Sequence, residues 1–420
     1  MSAAREQRLR WGAAVLGLAL LLLLGLLQDE GLCDALAVSV MRVPHTQQRV
    51  YFADTLAILA SGQADQAGRD AYDSGQSLDP FDRPNVYGPL WLVTGTLGLR
   101  MGDAGWVGAL LGSAFLLAAV VLLAPRGPGA AFTALLLVAA PPVLLGIERG
   151  NNDLVVFLLL MGAGWLLTRP GRAPAVAGAA LLGLAAVLKL YPLACLPALA
   201  ARRGPGRGLA RLGAGVVLAC ALVLLYWHRD YIRMLGLAPA PRTVFAYGLK
   251  VPVFAWYGVR DAWPWLLAGG TVTGLAAVVL LGRHAWALWA AVPLTGTATA
   301  WYVAGAAAWC FCYVANTNWT YRALLLVLPA ALWLKQADDP VRGPLARGQL
   351  AVLVAMGWLT VVKSWWIGAL PDGQLPVAWN WAGVILGVEQ VLVAGLTLAL
   401  AIGLLGWGVR RLRAGDNLPE

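Results

Sequence analysis

The chain has 420 residues, of which 60% are hydrophobic and only 12% are charged, and its formal net charge at pH 7 is +10. Soluble domains carry roughly 25% charged residues, so this composition excludes an ordinary soluble enzyme. Most Lys and Arg residues lie at the ends of apolar segments, where membrane orientation and anionic lipids explain them. The positive charge therefore indicates contact with membrane lipids and no nucleic-acid partner.

The first predicted element is a membrane span at the N-terminus. Arg5, Arg8 and Arg10 precede the apolar residues 11–27, and no small-residue cleavage site follows at 28–30. This pattern distinguishes an uncleaved span from a secretory signal peptide. Because positive residues beside a span stay in the cytoplasm, we expect the N-terminus to lie inside.

A long polar segment follows this span. Residues 28–87 are therefore predicted to form the first external loop. Within it, residues 50–60 are predicted to form a short amphipathic helix that lies on the membrane surface. The proline-rich segment 79–85 predicts a turn that leads into Tyr87 and the next apolar segment.

The remaining apolar segments predict an all-α polytopic membrane protein, a single integral membrane domain over residues 1–420, with about 10 to 12 transmembrane helices. The candidate spans after the first are 88–101, 104–124, 129–147, 154–168, 175–200, 212–227, 262–282, 286–310, 321–335, 349–369 and 384–408. Two readings of the topology remain open. In one, all twelve segments cross the membrane; in the other, 88–101 and 175–200 do not cross, which places residues 149–153 outside.

A second external loop is predicted at residues 228–261. It contains more Lys and Arg than Asp and Glu, which is unusual outside the cytoplasm. A phosphate-bearing ligand would explain these cations, and so would contact between the loop and anionic lipid headgroups. His228 and Arg229, at the start of the loop, are candidate substrate-binding residues.

Two short polar segments interrupt the apolar sequence. They are Glu-Arg-Gly-Asn-Asn-Asp at 148–153 and Lys-Leu-Tyr-Pro at 189–192. Charges in membrane-length apolar sequence are costly and usually face a cavity, a partner or the headgroup layer. Arg149 and Lys189 are candidate phosphate-binding residues, although Lys189 could instead extend to the interface or pair with a carboxylate. Asn151 and Asn152 could bind sugar hydroxyls or cap the helix that begins at Asp153.

The absence of several known catalytic motifs limits the classes of reaction that the protein could catalyse. The sequence has no phosphate-binding glycine loop, no zinc-binding His-Glu-x-x-His motif and no Gly-x-Ser-x-Gly motif. Its three histidines and five cysteines are too scattered to indicate a metal or a disulfide framework. We therefore expect no cofactor; a divalent metal is possible but is not indicated. Carboxylates, arginines, one lysine and aromatic residues remain, a set that suits transfer of a group from a lipid phosphate.

Residues 141–203 resemble the polyprenol-phosphate-mannose-dependent mannosyltransferases, a bacterial family of GT-C-type glycosyltransferases. The matching pieces are Pro141-Pro142-Val143, Arg149-Gly150-Asn151-Asn152, the segment 183–192 with its Lys-Leu-Tyr-Pro motif, and Tyr87-Gly88-Pro89-Leu90, where Gly88 replaces a proline. The C-terminal half matches more loosely, through 318–322. Tyr87, Tyr191 and Arg322 become candidate substrate-binding residues on this resemblance.

The resemblance implies a GT-C-like helical bundle in the cell membrane whose active site faces the external or periplasmic side. It implies a polyprenyl-phosphate-linked sugar donor, with mannose as the expected hexose, and a lipid-linked or cell-envelope glycan acceptor. It also implies an acidic catalytic base in the first external loop. Arg49 lies near the position where the family has that acid, which leaves open an altered reaction or a different base. Asp54 is the first candidate and Asp34 the second, with Asp29, Glu30 and Asp82 as further alternatives.

Functions from other classes use similar residues. A polytopic transporter or lipid flippase for a polar or phosphate-bearing envelope precursor would also place charges inside the membrane. Such a protein would be expected to carry corresponding broken helices in both halves, whereas here the polar breaks lie in the first half. A non-catalytic scaffold of an envelope assembly complex would tolerate loss of Asp54 and Lys189.

Overall fold

The computed structural model describes residues 3–38, 41–44, 46–202, 206–237, 246–248, 284–315, 318–368 and 381–414. These residues are almost entirely helical, which confirms the prediction of an all-α polytopic membrane protein. The predicted span 262–282 and most of the predicted loop 228–261 lie outside the described residues.

The N-terminal half contains eleven α-helices among the residues that the structure describes. They are α1 (Ala3–Gln28), α2 (Glu30–Ala35), α3 (Ala53–Gln66), α4 (Val93–Thr96), α5 (Ala104–Leu123), α6 (Pro128–Val138), α7 (Pro141–Glu148), α8 (Asp153–Leu167), α9 (Arg172–Leu188), α10 (Gly206–Tyr226) and α11 (His228–Leu237). Short 3-10 helices cover Ser74–Gln76, Pro89–Leu92 and Met101–Asp103, and a longer one covers Tyr191–Ala201.

The C-terminal half adds five described α-helices and a further 3-10 helix. The α-helices are α12 (Ala285–Ala291), α13 (Thr297–Ala315), α14 (Val327–Gln336), α15 (Gly343–Gly368) and α16 (Trp381–Ala414), and the 3-10 helix is Thr320–Leu326. There are also two small antiparallel strand pairs. Strand β1 (Met41–Arg42) pairs with β2 (Arg49–Val50), and β3 (Ala246–Tyr247) pairs with β4 (Asn318–Trp319).

Five described helices are long and apolar enough to cross a membrane, and up to seven if each bent pair counts as one span. One bent pair is α6 with α7, which meet at 52°. Pro141 and Pro142 stand at the start of α7, where proline cannot donate to the preceding turn and so breaks the helix. Three shorter apolar helices, Asp153–Leu167, Arg172–Leu188 and Tyr191–Ala201, pack among them.

Polar contacts at chain reversals define two faces of the bundle. On one face, which we call the site face, the Tyr231 hydroxyl donates to Val187 O at 2.6 Å. On the opposite face, Arg202 donates to the carbonyls of Arg169 and Gly171, both at 2.7 Å. Residues 172–188 therefore run to the site face, and residues 191–201 return from it.

This arrangement corrects two expectations. Residues 88–101 form a 3-10 turn and one short helix rather than a span, and residues 175–200 do not make a single crossing. Both results agree with the second reading of the topology, in which residues 149–153 lie on the same side as the first loop.

A helix is present where the sequence predicts one in the first loop. Helix α3 covers most of this region, and most of its residues are buried against other parts of the protein. Small residues allow this close packing: a Cβ atom added at Gly62 would lie 2.6 Å from Gly95 N.

Candidate functional site

Four segments that are distant in sequence meet in one polar cluster on the site face. They are the start of α3, the turn between α7 and α8, the end of α9, and the 3-10 helix that follows β4. Two backbone hydrogen bonds join the first loop to the turn: Phe52 N donates to Glu148 O at 2.7 Å, and Asp54 N donates to Arg149 O at 2.9 Å. The first-loop acid and the polar turn are therefore held at fixed positions.

Gly150 allows this turn to pack against α3. Its φ is +55°, in the left-handed region that glycine adopts without steric cost. An added Cβ would overlap the Thr55 hydroxyl and lie 3.1 Å from Phe52 Cβ. Thr55 Oγ1 also donates to Gly150 O at 2.7 Å. The Arg-Gly-Asn-Asn sequence thus needs glycine at this position for both its backbone angle and its close contact.

Asp54 is the centre of the first half of the cluster. Its buried carboxylate accepts hydrogen bonds from Arg149 Nε at 3.0 Å and Arg149 Nη2 at 2.6 Å. Asn151 Nδ2 donates to the same carboxylate at 2.6 Å, and Arg83 Nη1 lies 3.5 Å from it. Arg83 is in turn paired with Asp79 at 2.8 Å.

Asp153 is the centre of the second half and is fully buried. It accepts from Lys189 Nζ at 2.5 Å and from the Tyr191 hydroxyl at 2.8 Å. Arg322 Nε forms an ion pair with its other oxygen at 3.5 Å. The Lys189 side chain therefore pairs with a carboxylate, which is one of the readings left open by the sequence.

Asn151 connects the two halves. Its amide nitrogen binds Asp54, while its carbonyl oxygen accepts from Asp153 N at 2.9 Å. Aromatic rings lie beside the cations: Lys189 Nζ is 5.8 Å from the centre of the Tyr87 ring, and Arg322 Cζ is 5.3 Å from that of Tyr191. These distances suit cation–π attraction.

The carboxylates and the cations differ in exposure. Asp54 and Asp153 side chains are 4% and 0% exposed, whereas those of Arg83, Arg149 and Arg322 are 21–24% exposed and that of Lys189 is 11% exposed. The acids thus anchor the cations from within the protein. The cluster presents positive charge at its accessible surface, which is suited to an anionic group.

Ionisation in the loop residues follows from these contacts. Burial opposes ionisation of Asp54, but the charges of Arg149 and Arg83 and the hydrogen bonds from Arg149 and Asn151 hold its pKa below the usual range. Burial raises the pKa of Asp79, against the opposing effect of Arg83. Burial, followed by the charge of Asp54, raises the pKa of Tyr87 well above its ordinary value. Asp54 is therefore an anion at neutral pH.

Not every candidate from the sequence lies in this cluster. Asp34 is exposed on α2. His228 and Arg229 are exposed on α11, where His228 Nδ1 contacts Leu225 O at 3.0 Å. From the same helix, Arg233 instead pairs with Asp70 at 2.6 Å. The structure therefore brings together Asp54, Arg149, Asn151, Lys189, Tyr191, Tyr87 and Arg322, and places Asn152 in the same turn.

Sequence analysis missed two members of the cluster. The sequence places Arg83 only in a proline-rich turn, whereas in the structure it pairs with Asp79 and lies near Asp54. The sequence identifies Asp153 only as the first residue of a helix, whereas in the structure Lys189 and Arg322 bind it. Arg149 is bound by Asp54, which lies 95 residues earlier. No local pattern in the sequence indicates that contact.

The carboxylates in this cluster do not suit a divalent metal. Metal ions of this kind prefer several carboxylate or carbonyl oxygens without competing cations. Here both oxygens of Asp54 bind Arg149, and Asp153 binds Lys189 and Arg322. Across the part of the chain that the structure describes, no group of three or more His, Cys, Asp or Glu residues could hold a metal ion.

Comparison with known families gives one result that bears on this cluster. The sequence model of glycosyltransferase family 87 matches residues 85–298, about half of the chain. The match includes Arg149, Asn151, Asp153 and Lys189, but Asp54 and Arg322 lie outside it. Comparisons with curated proteins and with solved structures found no match.

Proposed function

The chain belongs to glycosyltransferase family 87, and we propose that this membrane glycosyltransferase moves a hexose from a polyprenyl-phosphate donor to a lipid-linked or cell-envelope glycan acceptor. Mannose is the sugar that we propose. The active site in this account is the polar cluster of Asp54, Arg149, Asp153, Lys189 and Arg322. The observation that carries the proposal is the set of partly exposed cations held in place by two buried carboxylates.

Donor binding is assigned to Lys189 and Arg322. Their shared partner Asp153 supplies one negative charge against two positive charges, so this half of the site retains one net positive charge for a phosphate. A membrane-embedded cation attracts a lipid phosphate strongly because little water screens the interaction. Arg149 adds a planar guanidinium on the side of Asp54, and Tyr87 and Tyr191 offer ring surfaces to the sugar or the polyprenyl chain.

In the transfer step, an acceptor hydroxyl oxygen forms a bond to the anomeric carbon of the sugar. The bond between that carbon and the phosphate oxygen breaks, and the polyprenyl phosphate leaves with the electron pair. We assign the released hydroxyl proton to Asp54, the first-loop carboxylate fixed within the cluster. Asp34, exposed on α2, is the alternative acceptor of this proton. Lys189, Arg322 and Arg149 would stabilise the charge on the leaving phosphate.

The distribution of cations supports an external active site. The face opposite the cluster is rich in arginines, including Arg169 and Arg202, and Arg411 Nε donates to Ala200 O there at 2.8 Å. Positive residues beside spans mark the cytoplasmic side. We therefore place the opposite face in the cytoplasm and the cluster at the external or periplasmic side of the cell membrane.

The test uses purified protein in proteoliposomes with radiolabelled polyprenyl-phosphate-mannose and extracted envelope lipids and glycans as acceptors. We expect label transfer by the unchanged protein and at least a 100-fold loss in Lys189→Met, which removes the phosphate contact and leaves Asp153 without its closest cation. Glu6→Gln, on the exposed face of α1, is the control and should retain activity. Movement of the labelled lipid across the bilayer without product would instead support a transporter or flippase.

A further inference from the structure

Glu148 is a buried carboxylate without an assigned role. It is 1% exposed, and neither of its carboxylate oxygens has a hydrogen-bond partner within the described ranges. Burying such a group without partners costs several kcal/mol, and buried polar groups in proteins nearly always have one. Its backbone oxygen binds Phe52 N, which places the residue directly beside Asp54.

Asn152 shows the same property four residues later. It is 1% exposed, and both its amide nitrogen and its amide oxygen lack partners among the described residues. Its neighbours Asn151 and Asp153 both bind other residues of the cluster. Thr320, fully buried, has an unpartnered hydroxyl on the 3-10 helix that packs against α7. Unsatisfied acceptors and donors are thus concentrated around one turn.

A structural role does not account for Glu148. A buried structural carboxylate is normally paired with a cation, yet among the described residues neither nearby arginine, Arg149 or Arg49, forms a hydrogen bond with Glu148. Arg149 uses Nε and Nη2 on Asp54. Arg49 Nη2 donates to Leu26 O and Cys33 Sγ. The carboxylate therefore keeps its hydrogen-bonding capacity for a group that the protein itself does not supply.

We propose that Glu148 and Asn152 form a hydroxyl-binding subsite that holds a hexose ring in the transfer. The Glu148 carboxyl binds two neighbouring hydroxyls of the ring, and Asn152 both donates to and accepts from a further hydroxyl. This inference rests on the proposed function and adds the residues that select the sugar. The sugar is either that of the donor or that of the acceptor, and both present the same hydroxyl chemistry.

Hydrogen bonding distinguishes this subsite from the phosphate contacts. The Glu148 carboxyl and the Asn152 amide bind neutral hydroxyl groups, whereas Lys189 and Arg322 favour the anion. A site built to bind hydroxyl groups discriminates strongly against ligands that lack them, because its polar atoms then stay buried and unpaired. Glu148 and Asn152 should therefore act on sugar recognition, and Lys189 on lipid-phosphate recognition.

The test measures binding, so it does not require transfer. The probes are polyprenyl phosphate with no sugar, polyprenyl-phosphate-mannose and polyprenyl-phosphate-glucose. If the subsite holds the donor sugar, the unchanged protein should bind at least one sugar-bearing lipid about 10- to 100-fold more tightly than the sugar-free lipid. Glu148→Gln should reduce that advantage to about threefold or less and leave sugar-free binding unchanged, which also shows that the variant folds.

A second arm covers the acceptor. Methyl mannoside and methyl glucoside are titrated onto protein saturated with polyprenyl-phosphate-mannose, and Glu148→Gln should weaken their binding if the subsite holds the acceptor sugar. Asn152→Ala should weaken sugar binding in the same arm as Glu148→Gln does. The control Glu6→Gln should leave sugar binding unchanged in both arms. Sugar recognition that is unchanged by Glu148→Gln in both arms, or absent from the unchanged protein in both, would overturn the subsite. Failure of transfer alone would count against the proposed function instead.

Discussion

Arg149 holds Asp54 through two hydrogen bonds, Nε to Oδ2 at 3.0 Å and Nη2 to Oδ1 at 2.6 Å. The planar guanidinium matches the carboxylate in a way that an ammonium group cannot. The two residues are 95 positions apart in the sequence, so the contact fixes the first loop to the turn between α7 and α8. The geometry of the whole site depends on it.

Arg149→Lys should therefore impair the site although it preserves the charge. Loss of one charge-assisted hydrogen bond is worth about 1.5–3 kcal/mol, so we expect kcat/KM for sugar transfer to fall about 10- to 150-fold. The measurement is initial-rate kinetics in proteoliposomes. Arg172→Lys is the matched control, because Arg172 is exposed at the start of α9. Equal activity of both variants would show that the two-point contact is dispensable.

The pH dependence of transfer should reflect the lowered pKa of Asp54. This carboxyl has a folded pKa below its unfolded value of about 3.9. Its contribution to stability is therefore complete above that value and is lost as the pH falls through the folded pKa. If Asp54 accepts the proton, the rate should show no acidic limb from this group between about pH 5 and 8. An acidic limb centred near pH 6–7 that disappears in Asp54→Asn would contradict the assigned ionisation.

Gly150→Ala should destabilise the protein more than an equivalent change elsewhere. Both Gly150 and Gly68 have positive φ, at +55° and +70°, but an added Cβ meets Thr55 and Phe52 only at Gly150. The backbone term alone costs roughly 1–2 kcal/mol. The measurement is thermal unfolding in detergent. Gly68→Ala should lose only this amount of stability, and Gly150→Ala should lose more. Equal melting temperatures would mean that the turn relaxes away from α3.

A second buried ion pair offers a test of the C-terminal half. Lys363 on α15 and Glu389 on α16 are both fully buried and bind each other, and the Tyr247 hydroxyl contacts Glu389 at 3.4 Å. Glu389→Leu leaves the ammonium without its counter-ion and should cost about 3–5 kcal/mol. The double variant Lys363→Met with Glu389→Leu should recover most of that loss. A double variant as unstable as the single one would contradict this account.

Much of the fold could be predicted because local runs of apolar residues indicate the membrane spans. Residues 104–124 and 129–147 correspond closely to α5 and to the bent pair α6 with α7. Residues 88–101 were misassigned because this 14-residue, mostly apolar segment resembles a short span, although the structure gives it only a short helix in which Gly95 packs against Gly62. Composition alone does not reveal such tertiary contacts.

The site was predicted in part for the same reason. Arg149 and Lys189 were conspicuous because charge within apolar sequence is rare. Their partners were not, because Asp54 and Asp153 become partners only through the packing of the first loop and of α8. Glu148 directly precedes Arg149, but adjacent side chains of a helix point in different directions, and Arg149 binds Asp54. The roles of these residues in transfer stay predictions.

We propose that Asp54 and its cations carry out sugar transfer from a lipid phosphate. The most direct measurement compares Asp54→Asn with the unchanged protein, at equal amounts in proteoliposomes, for binding of polyprenyl-phosphate-mannose and for transfer of its labelled sugar. We predict that binding stays within about tenfold while transfer falls by at least 10²-fold. Transfer that survives in Asp54→Asn would contradict the assignment of Asp54 and direct attention to Asp34.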